Sequence, residues 1–302
     1  MSPAGPRVVT RRAHAKINVF LRVLGRRDDG FHDLESLVLP ISLHDVVTAE
    51  VGGPGEMSLQ VDEAPGSTER VPPELVDNLA GRALLALAER VGGGAEAPGA
   101  SLTVDKRIPV AAGLGGGSAD AAATLLAVNE LWRCDLDRVV LAEIGAWLGS
   151  DVPALLADEP VFVAGRGERL TPVHASSVWW VVKPFGFGVS AADAYGWWDD
   201  DPITGPDTGV LIAALETGDV QLLGDALFND LQPGVVSRHG EIAETIDAFL
   251  EAGAFGAIMC GSGPTVAALA RHIGHADALA AAVPGSIVVS GPPAVTLPIP
   301  GS

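Results

Sequence analysis

The stretch that decides the fold is Pro109–Leu126, PVAAGLGGGSADAAATLL, where a run of glycines leads directly into an alanine-rich segment of helical character. Glycine allows positive φ angles and lets a ligand come close to backbone N–H groups. The first turn of a helix adds unpaired N–H donors and a partial positive charge. The stretch therefore predicts a binding site for an anion, and in an enzyme the usual anion is a phosphate.

Two well-known phosphate-binding patterns do not fit this loop. The P-loop, G-x-x-x-x-G-K-S/T, needs a Gly-Lys pair, and the chain contains none. The dinucleotide fingerprint G-x-G-x-x-G would need a third glycine where the chain has Ser118. A flexible linker is the simplest alternative, but the glycines adjoin a good helix with Ser118 and Asp120 in its first turn. A different kind of phosphate loop is the better interpretation.

The composition limits the classes of partner. The chain has 302 residues, 48% of them hydrophobic, which is enough for one large domain or two ordinary ones. With 19 basic and 38 acidic residues the formal net charge is −19, which argues against non-specific binding to nucleic acid or to an anionic membrane. Lysine occurs only at positions 16, 106 and 183, and the first 30 residues are locally cationic. That segment is either a solvated face of a sheet or part of an anion site.

Cysteine, histidine and hydropathy exclude further classes. Cys134 and Cys260 are isolated, so they support neither a disulfide framework nor a zinc site. No apolar run reaches the ~18 residues of a transmembrane helix, and the N-terminus lacks the apolar core of a signal peptide. We expect a cytoplasmic protein that acts on small molecules, without nucleic-acid or membrane partners, as a monomer or weak homodimer.

Hydrophobic periodicity predicts a mixed fold. Strands are expected at 7–24, 46–51, 101–110, 161–164, 178–183, 254–261, 265–270 and 286–290, and helices at 74–91, 118–132, 137–148, 210–227, 235–252 and 273–283. A hinge-like connection is expected at 165–167. Strands mixed with helices, without strict alternation, favour an α+β fold with two layers. We divide the chain into domains at 1–165 and 166–302.

Several motifs together resemble one kinase superfamily. The pattern in 109–119, Pro-x-x-x-Gly-Leu-Gly-Gly-Gly-Ser-Ala, resembles the phosphate-binding motif of the GHMP kinases, which include galactokinase, homoserine kinase, mevalonate kinase and phosphomevalonate kinase. Ala-Lys-Ile-Asn at 15–18 and Asp-Gly-Phe-His at 29–32 resemble the GHMP subfamily that phosphorylates 4-diphosphocytidyl-2-C-methyl-D-erythritol. The segments 148–153 and 259–265 are similar to later motifs of that subfamily. The resemblance covers nearly the whole chain in order.

The chain departs from the family pattern at a few positions. Phe31 replaces a common tyrosine, which keeps a flat face for stacking and removes a hydroxyl. Ala111-Ala112 replaces a more glycine-rich approach, and Ser-Ala-Asp at 118–120 replaces a Ser-Ser-Asn-like run. These changes leave phosphate binding in place as the expected role of the loop.

The resemblance implies a fold and a reaction. It implies an N-terminal domain with a β-sheet and helices, a C-terminal ferredoxin-like domain, and an active site in the cleft between them. ATP and Mg²⁺ would be the cofactors, and the 2-hydroxyl of 4-diphosphocytidyl-2-C-methyl-D-erythritol would be phosphorylated, in non-mevalonate isoprenoid biosynthesis. The alternatives are another GHMP acceptor, such as homoserine or mevalonate, or a catalytically silent nucleotide-binding regulator. Lys16 and Asp151 argue against the regulator.

Lys16 and Asp151 are the candidate catalytic residues. The local pattern of Asp151, before Val152-Pro153, favours a helix N-cap over a catalytic role. The resemblance implies that it is the base that accepts the proton of the substrate hydroxyl. Lys16 reads as a solvated strand residue on its own, and the resemblance implies that it keeps Asp151 ionised and supports the transferred phosphoryl group.

The remaining candidates follow the two substrates. The resemblance implies that ATP is bound by Lys106, Pro109, Gly113, Leu114, Gly115, Gly116, Gly117 and Ser118, with Ser118 also approaching magnesium. Lys106 is equally well explained as a solvated lysine at a strand end. The resemblance implies that the acceptor substrate is bound by Asn18, Phe31, His32, Tyr195, Gly261 and Ser262.

The proposed acceptor contacts have simpler alternatives. His32 would read the cytosine edge with its two ring nitrogens, while Phe31 and Tyr195 would cover the two faces of the base. A lone histidine is more often structural, and Tyr195 is also explained as a core residue of a short helix. Gly261-Ser262-Gly263 is also explained as a tight turn between two strands.

Overall fold

The computed structural model describes residues 7–63, 71–92, 98–203 and 205–293. Its strands are β1 (Val8–Arg26), β2 (His32–Gly52), β3 (Met57–Glu63), β4 (Gly99–Lys106), β5 (Val161–Gly165), β6 (Arg169–Pro172), β7 (Val178–Lys183), β8 (Phe228–Asn229), β9 (Ala257–Met259), β10 (Val266–Ala270) and β11 (Ile287–Gly291). Its helices are α1 (Leu79–Val91), α2 (Gly116–Trp132), α3 (Arg138–Leu148), α4 (Val152–Ala157), α5 (Ala191–Asp200), α6 (Gly209–Thr217), α7 (Val220–Asp225), α8 (Gln232–Val236), α9 (Gly240–Glu251) and α10 (Ile273–Ala282).

A long antiparallel hairpin of β1 and β2 forms the centre of a seven-stranded sheet. The sheet has the order β3-β4-β2-β1-β8, and the β5–β6 hairpin attaches to β2. Residues 13–21 of β1 are all buried, although successive side chains point to opposite faces of a sheet. Both faces of the middle of β1 are therefore covered, and polar side chains placed there are enclosed by protein.

Helix α2 packs on this sheet and carries the glycine loop at its start. Its alanines are small enough for close approach to β1 and β2, and residues 119–125 of the helix are all buried. The helix α1 packs beside it, with Leu84 and Leu87 fully buried. This packing fixes the position of the N-terminus of α2, and therefore of the loop before it.

The second half of the chain builds a smaller antiparallel sheet. Four strands have the order β11-β7-β10-β9, and α9 and α10 pack against them. This is the split βαβ arrangement of ferredoxin-like folds. The α+β class and the ferredoxin-like C-terminal layer expected from the sequence are confirmed.

The two sheets are joined beside the middle of β1. Strand β8 pairs in parallel with β1 through Phe20–Phe228 and Leu21–Asn229. The Asn229 side-chain amide donates hydrogen bonds to the carbonyl oxygens of Met259 (2.7 Å) and Gly261 (2.8 Å). The turn after β9 is thereby held against the strand that carries Lys16. The division of the chain at residue 165 stays a prediction.

Local capping corrects several predicted boundaries. The helix predicted at 74–91 begins only at Leu79, because the Asn78 side chain accepts a hydrogen bond from the backbone N–H of Ala80 and caps the helix there. The helix predicted at 210–227 is two helices, since Gly218 is left-handed and Asp219 caps a new start.

Three other predicted features differ in the structure. The helix predicted at 235–252 is divided into α8 and α9, with a break around His239. The hinge expected at 165–167 is the turn of the β5–β6 hairpin. The strand predicted to reach residue 110 ends at Lys106, because the next two backbone N–H groups donate to the Asp45 side chain instead of a neighbouring strand.

In the part of the chain that the structure describes, no helix combines the length and the apolar character needed to cross a bilayer.

Candidate active site

Strand β1 places Lys16 and Asn18 on the same face of the sheet, because residues two apart in a strand share a face. The Lys16 Nζ donates a 2.8 Å hydrogen bond to Asn18 Oδ1, and Asn18 Nδ2 donates a 2.8 Å bond to Ser36 Oγ on β2. All three residues are buried. The lysine is therefore a held cation and not a solvated strand residue.

Asp151 brings a carboxylate to this lysine from another element. It occupies the N-cap position of α4, but its side chain makes no capping hydrogen bond. Its Oδ2 instead lies 3.5 Å from Lys16 Nζ, and 47% of its side-chain surface is exposed. Asp151 therefore occupies the N-cap position without capping the helix through its side chain. Its carboxylate is open to a ligand and lies beside the buried positive charge of Lys16.

The glycine loop lies directly against Lys16. The backbone N–H of Lys16 donates to the carbonyl of Leu114 at 3.0 Å. Gly115 has φ +73°, and a Cβ at this position would lie 3.1 Å from Lys16 Cγ. Only glycine combines this backbone conformation with so close an approach.

The loop also touches the turn that follows β9. Gly113 has φ +77°, and a Cβ there would lie 2.3 Å from the carbonyl oxygen of Gly263. Thr265 Oγ1 donates a 2.6 Å hydrogen bond to the carbonyl of Ala112. The glycine loop is thus fixed from two sides, by β1 and by the smaller sheet.

A pocket of about 350 Å³ opens over this loop. Volumes of this order are typical of small-molecule sites. It is lined by Pro109 through Ser118, by Lys106 and Asp120, and by Val71, Pro72, Asp77, Asn78 and Leu79. The last five were missed in the sequence, and the Asn78 capping pattern marks a helix start without showing that it faces the glycine loop.

Lys106 lies beneath the loop in a buried ionic cluster. Its Nζ donates to Asp45 and, at 2.7 Å, to Asp120 Oδ2. A Cβ on Gly116 would lie 3.4 Å from this nitrogen. Lys106 is therefore not a solvated lysine at a strand end. Its ammonium group is also not free to bind a phosphate, because it is paired with Asp45 and Asp120 below the loop.

The cluster has one unsatisfied atom. Asp120 Oδ1 is buried and has no hydrogen-bond partner within the described residues. Burial, together with the negative charge of Asp45, raises the pKa of Asp120 to about 8 even though Lys106 opposes the shift. Asp120 accordingly holds a proton under conditions in which an exposed aspartate would be ionised.

Gly261 and Ser262 complete the wall around Lys16. Gly261 has φ +56°, and a Cβ on it would meet Asn18 Oδ1 at 2.9 Å and Lys16 Nζ at 3.5 Å. Ser262 follows it and is partly exposed. Burial raises the pKa of the neighbouring Cys260 thiol to about 12, although the positive charge of Lys16 opposes this. The turn predicted from the sequence is present and also faces Lys16.

The turn between β1 and β2 presents Phe31. Its backbone N–H donates to Asp29 Oδ1 at 3.1 Å, and Gly30 supplies the positive φ of +85° that the turn needs. The ring is 53% exposed. The Arg166 guanidinium lies 5.1 Å from its centroid, which is a cation–π distance.

His32 packs against α5. Its ring stacks on Tyr195 with centroids 4.8 Å apart and planes at 20°, and Trp198 meets it edge-on at 5.9 Å. Enclosure and the negative charge of Asp151 both raise the pKa of Tyr195, so its hydroxyl stays protonated. His32 itself covers one face of Tyr195, which the sequence did not predict.

Comparison with known proteins places this arrangement in a family. Residues 78–166 match the model of the GHMP kinases N terminal domain, and residues 211–287 match that of the GHMP kinases C terminal. A 4-diphosphocytidyl-2-C-methyl-D-erythritol kinase from Symbiobacterium thermophilum is 43% identical over 84% of this chain and 87% of its own length. One from Thermobifida fusca is 39% identical over 98% of both chains. The chain belongs to the 4-diphosphocytidyl-2-C-methyl-D-erythritol kinase family.

The fold of a family member agrees with this assignment. A crystal structure of 4-(cytidine 5'-diphospho)-2C-methyl-D-erythritol kinase superposes with a TM-score of 0.77 at 32% identity, covering 93% of this chain and 98% of that one. The resemblance expected from the glycine loop and the Lys-Ile-Asn segment is confirmed at the level of the family. The chain is thus an ATP-dependent small-molecule kinase of the GHMP type.

Asp120 gives a test of the ionic cluster in this kinase. Between about pH 5 and about pH 8 the folded chain holds a proton on Asp120 that the unfolded chain has lost, so this group weakens the fold as pH rises. In Asp120→Asn no proton can be lost. We expect the free energy of unfolding of Asp120→Asn, relative to the parent chain, to increase by about 1 kcal/mol or more between about pH 5 and about pH 9.

Urea unfolding followed by circular dichroism at each pH measures this difference. Asp62→Asn, on the exposed side of β3, is the control and should follow the parent chain at every pH. A difference between Asp120→Asn and the parent chain that stays constant with pH would contradict the raised pKa.

Proposed function

We propose that the chain transfers the γ-phosphoryl group of ATP to the 2-hydroxyl of 4-diphosphocytidyl-2-C-methyl-D-erythritol, a step of non-mevalonate isoprenoid precursor biosynthesis. The observation that carries the proposal is the Lys16–Asp151 pair at 3.5 Å. The glycine loop that lines the pocket comes close to Lys16 at Gly115, and the stacked rings of His32 and Tyr195 offer an aromatic surface for the base of the acceptor. We therefore place the donor on the glycine loop and the acceptor toward these rings, with Asp151 and Lys16 serving both.

The donor side suits the phosphates of ATP. The loop from Gly113 to Ser118 offers backbone N–H groups at the start of α2, where the helix dipole favours negative charge. Pro109 and Leu114 line the same pocket. Lys106 lies below the loop and is held there by its hydrogen bonds to Asp45 and Asp120. We therefore assign it to holding Gly116 in place and to lining the nucleotide pocket. Burial lowers the pKa of Lys106, but the charges and hydrogen bonds of Asp120 and Asp45 outweigh this, so the pKa is raised and the ammonium group stays charged.

Phosphoryl transfer requires a balanced set of bond changes. The acceptor hydroxyl oxygen forms a bond to the γ-phosphorus, the bond from that phosphorus to the β–γ bridging oxygen breaks, and ADP leaves with that electron pair. The hydroxyl proton passes to the Asp151 carboxylate. The positive charge of Lys16, beside Asp151, stabilises the charge that develops on the phosphoryl oxygens.

The glycine loop offers the kind of oxygen donor that Mg²⁺ binds in kinases. Within the described residues no group of three or more His, Cys, Asp or Glu side chains is placed to hold a metal. Mg²⁺ in kinases is bound by one or two protein oxygens and by substrate phosphates, so such a group is not required. Ser118, at the start of α2, lines the pocket and is partly exposed, so its hydroxyl oxygen is open to a ligand. We assign it to Mg²⁺, which would neutralise phosphate charge.

The acceptor side suits a cytidine diphosphate. Phe31 offers an exposed ring face, and Tyr195 and His32 form a stacked pair. We propose that they hold the cytosine, with Asn18, Gly261 and Ser262 aligning the methylerythritol hydroxyl near Asp151. All groups proposed for catalysis come from one chain, so we expect a monomer or weak homodimer, acting in the cytoplasm where ATP is available.

Product formation tests the choice of acceptor. The chain, incubated with ATP, Mg²⁺ and 4-diphosphocytidyl-2-C-methyl-D-erythritol, should form ADP and a monophosphate ester whose new phosphorus resonance couples to the 2-position carbon. Homoserine and mevalonate, offered under the same conditions, should remain unphosphorylated. Transfer to either of these with none to the cytidine substrate would overturn the proposal.

Asp151→Asn tests the base. The substitution keeps the shape of the side chain and removes its ability to accept the proton, so we expect kcat to fall ~10²-fold or more while ATP binding is retained. Steady-state kinetics and nucleotide calorimetry measure the two effects. Asp277→Asn, exposed on α10, is the control and should behave as the parent chain. Unchanged turnover in Asp151→Asn would remove Asp151 from this role.

A further inference from the structure

Asp199 is a second carboxylate near the acceptor site, and its contacts lead to His32. Its Oδ1 lies 2.9 Å from His32 Nε2. Asp199 is on α5, four residues after Tyr195 and one after Trp198, and both of these rings pack on the same imidazole. One helix therefore holds His32 by a stacked face, an edge contact and a hydrogen bond.

The hydrogen bond fixes which nitrogen of the ring carries a proton. An ionised carboxylate can only accept, so Nε2 must be the N–H that donates to Asp199. The neutral imidazole then has a lone pair on Nδ1. Arg26 Nη1 lies 3.4 Å from Asp199 Oδ2 and forms an ion pair with the other oxygen of the same carboxylate.

The other nitrogen of the ring is available to a ligand. His32 Nδ1 makes no hydrogen bond within the described part of the chain, and it is not among the enclosed, unpaired polar atoms there. Only 10% of the His32 side-chain surface is exposed. A small polar group brought against this edge would therefore meet an acceptor in a mostly apolar setting, where a mismatched partner is costly.

We propose that Asp199 is a positioning residue that makes His32 selective for a 4-amino pyrimidine, because it keeps Nδ1 as a hydrogen-bond acceptor. Cytosine presents its 4-amino donor to that lone pair, whereas uracil presents an oxygen lone pair and is repelled. The inference rests on the proposed function for the identity of the substrate. It extends that function from a base-binding pocket to the group that chooses between two pyrimidines.

Removing the carboxylate separates this role from a structural one. In Asp199→Ala the ring is free to exchange tautomers, so we expect KM for the cytidine substrate to rise about 10-fold, with kcat changed by less than about 3-fold. The preference for cytidine diphosphate over uridine diphosphate, measured by calorimetry, should fall by a similar factor. Asp199→Asn, whose amide oxygen still accepts from Nε2, should recover much of the loss.

Coupling with His32 tests the route of the effect. In a His32→Ala background, Asp199→Ala should add nothing further to KM, because the group it positions is gone. Asp200→Ala, the exposed neighbour on the same helix, is the matched control and should leave KM and base preference unchanged. An equal rise in KM from Asp199→Ala with and without His32 would overturn the proposal.

Nitrogen-15 NMR of the ligand-free chain tests the contact independently of turnover. We expect the His32 resonances to show a protonated Nε2 and an unprotonated Nδ1, and to lose this fixed pattern in Asp199→Ala. An identical pattern in both would contradict the positioning role. The two proposals fail separately. A parent chain that showed the expected NMR pattern but phosphorylated no cytidine substrate would contradict the proposed function alone. The titrations with cytidine and uridine diphosphate would then still show whether His32 prefers a 4-amino pyrimidine.

Discussion

The buried ammonium group of Lys16 is the interaction on which the rest of the site depends. It lies 2.8 Å from Asn18 Oδ1 and 3.5 Å from Asp151 Oδ2, and the glycine loop and the turn after β9 both pack against it. A cation in so enclosed a place must be compensated by nearby polar groups. The groups around Lys16 come from β1, the start of α4, the glycine loop and the turn after β9, so holding Lys16 also brings these four parts of the chain together.

Glycine appears around Lys16 because two backbone segments must come close to it. Gly115 and Gly261 both have positive φ angles, and a side chain on either would collide with Lys16 or Asn18. Beneath the loop, Lys106 joins Asp45 to Asp120 and ties β4 to α2. The two buried lysines thus have different surroundings: Lys16 lies beside Asp151, which we propose as the base, while Lys106 supports the glycine loop from below.

Short sequence segments were enough to predict the motifs, but not the residues that the motifs contact in the folded chain. The glycine run is predicted from its own local chemistry, whereas the roles of Lys16 and Asp151 follow only from the resemblance of their short segments to the GHMP kinases. The Lys106–Asp45 pair spans 61 residues, and the His32–Asp199 pair spans 167. Such pairings depend on tertiary packing and leave no local signal. The helix starts after Asn78 and Asp219 were not predicted, because the apolar spacing continues through both residues. Their side chains cap the two helices and decide where each one begins.

The cooperation between Lys16 and Asp151 is the central claim, and a double-mutant cycle on kcat measures it most directly. Lys16→Met and Asp151→Asn should each lower kcat ~10²-fold or more, and the double variant should be little worse than the more impaired single one, because residues that act as a unit are not additive. Nucleotide binding, measured in parallel, should persist in Asp151→Asn. Losses that multiply in the double variant would show that the two residues act independently and would contradict the account.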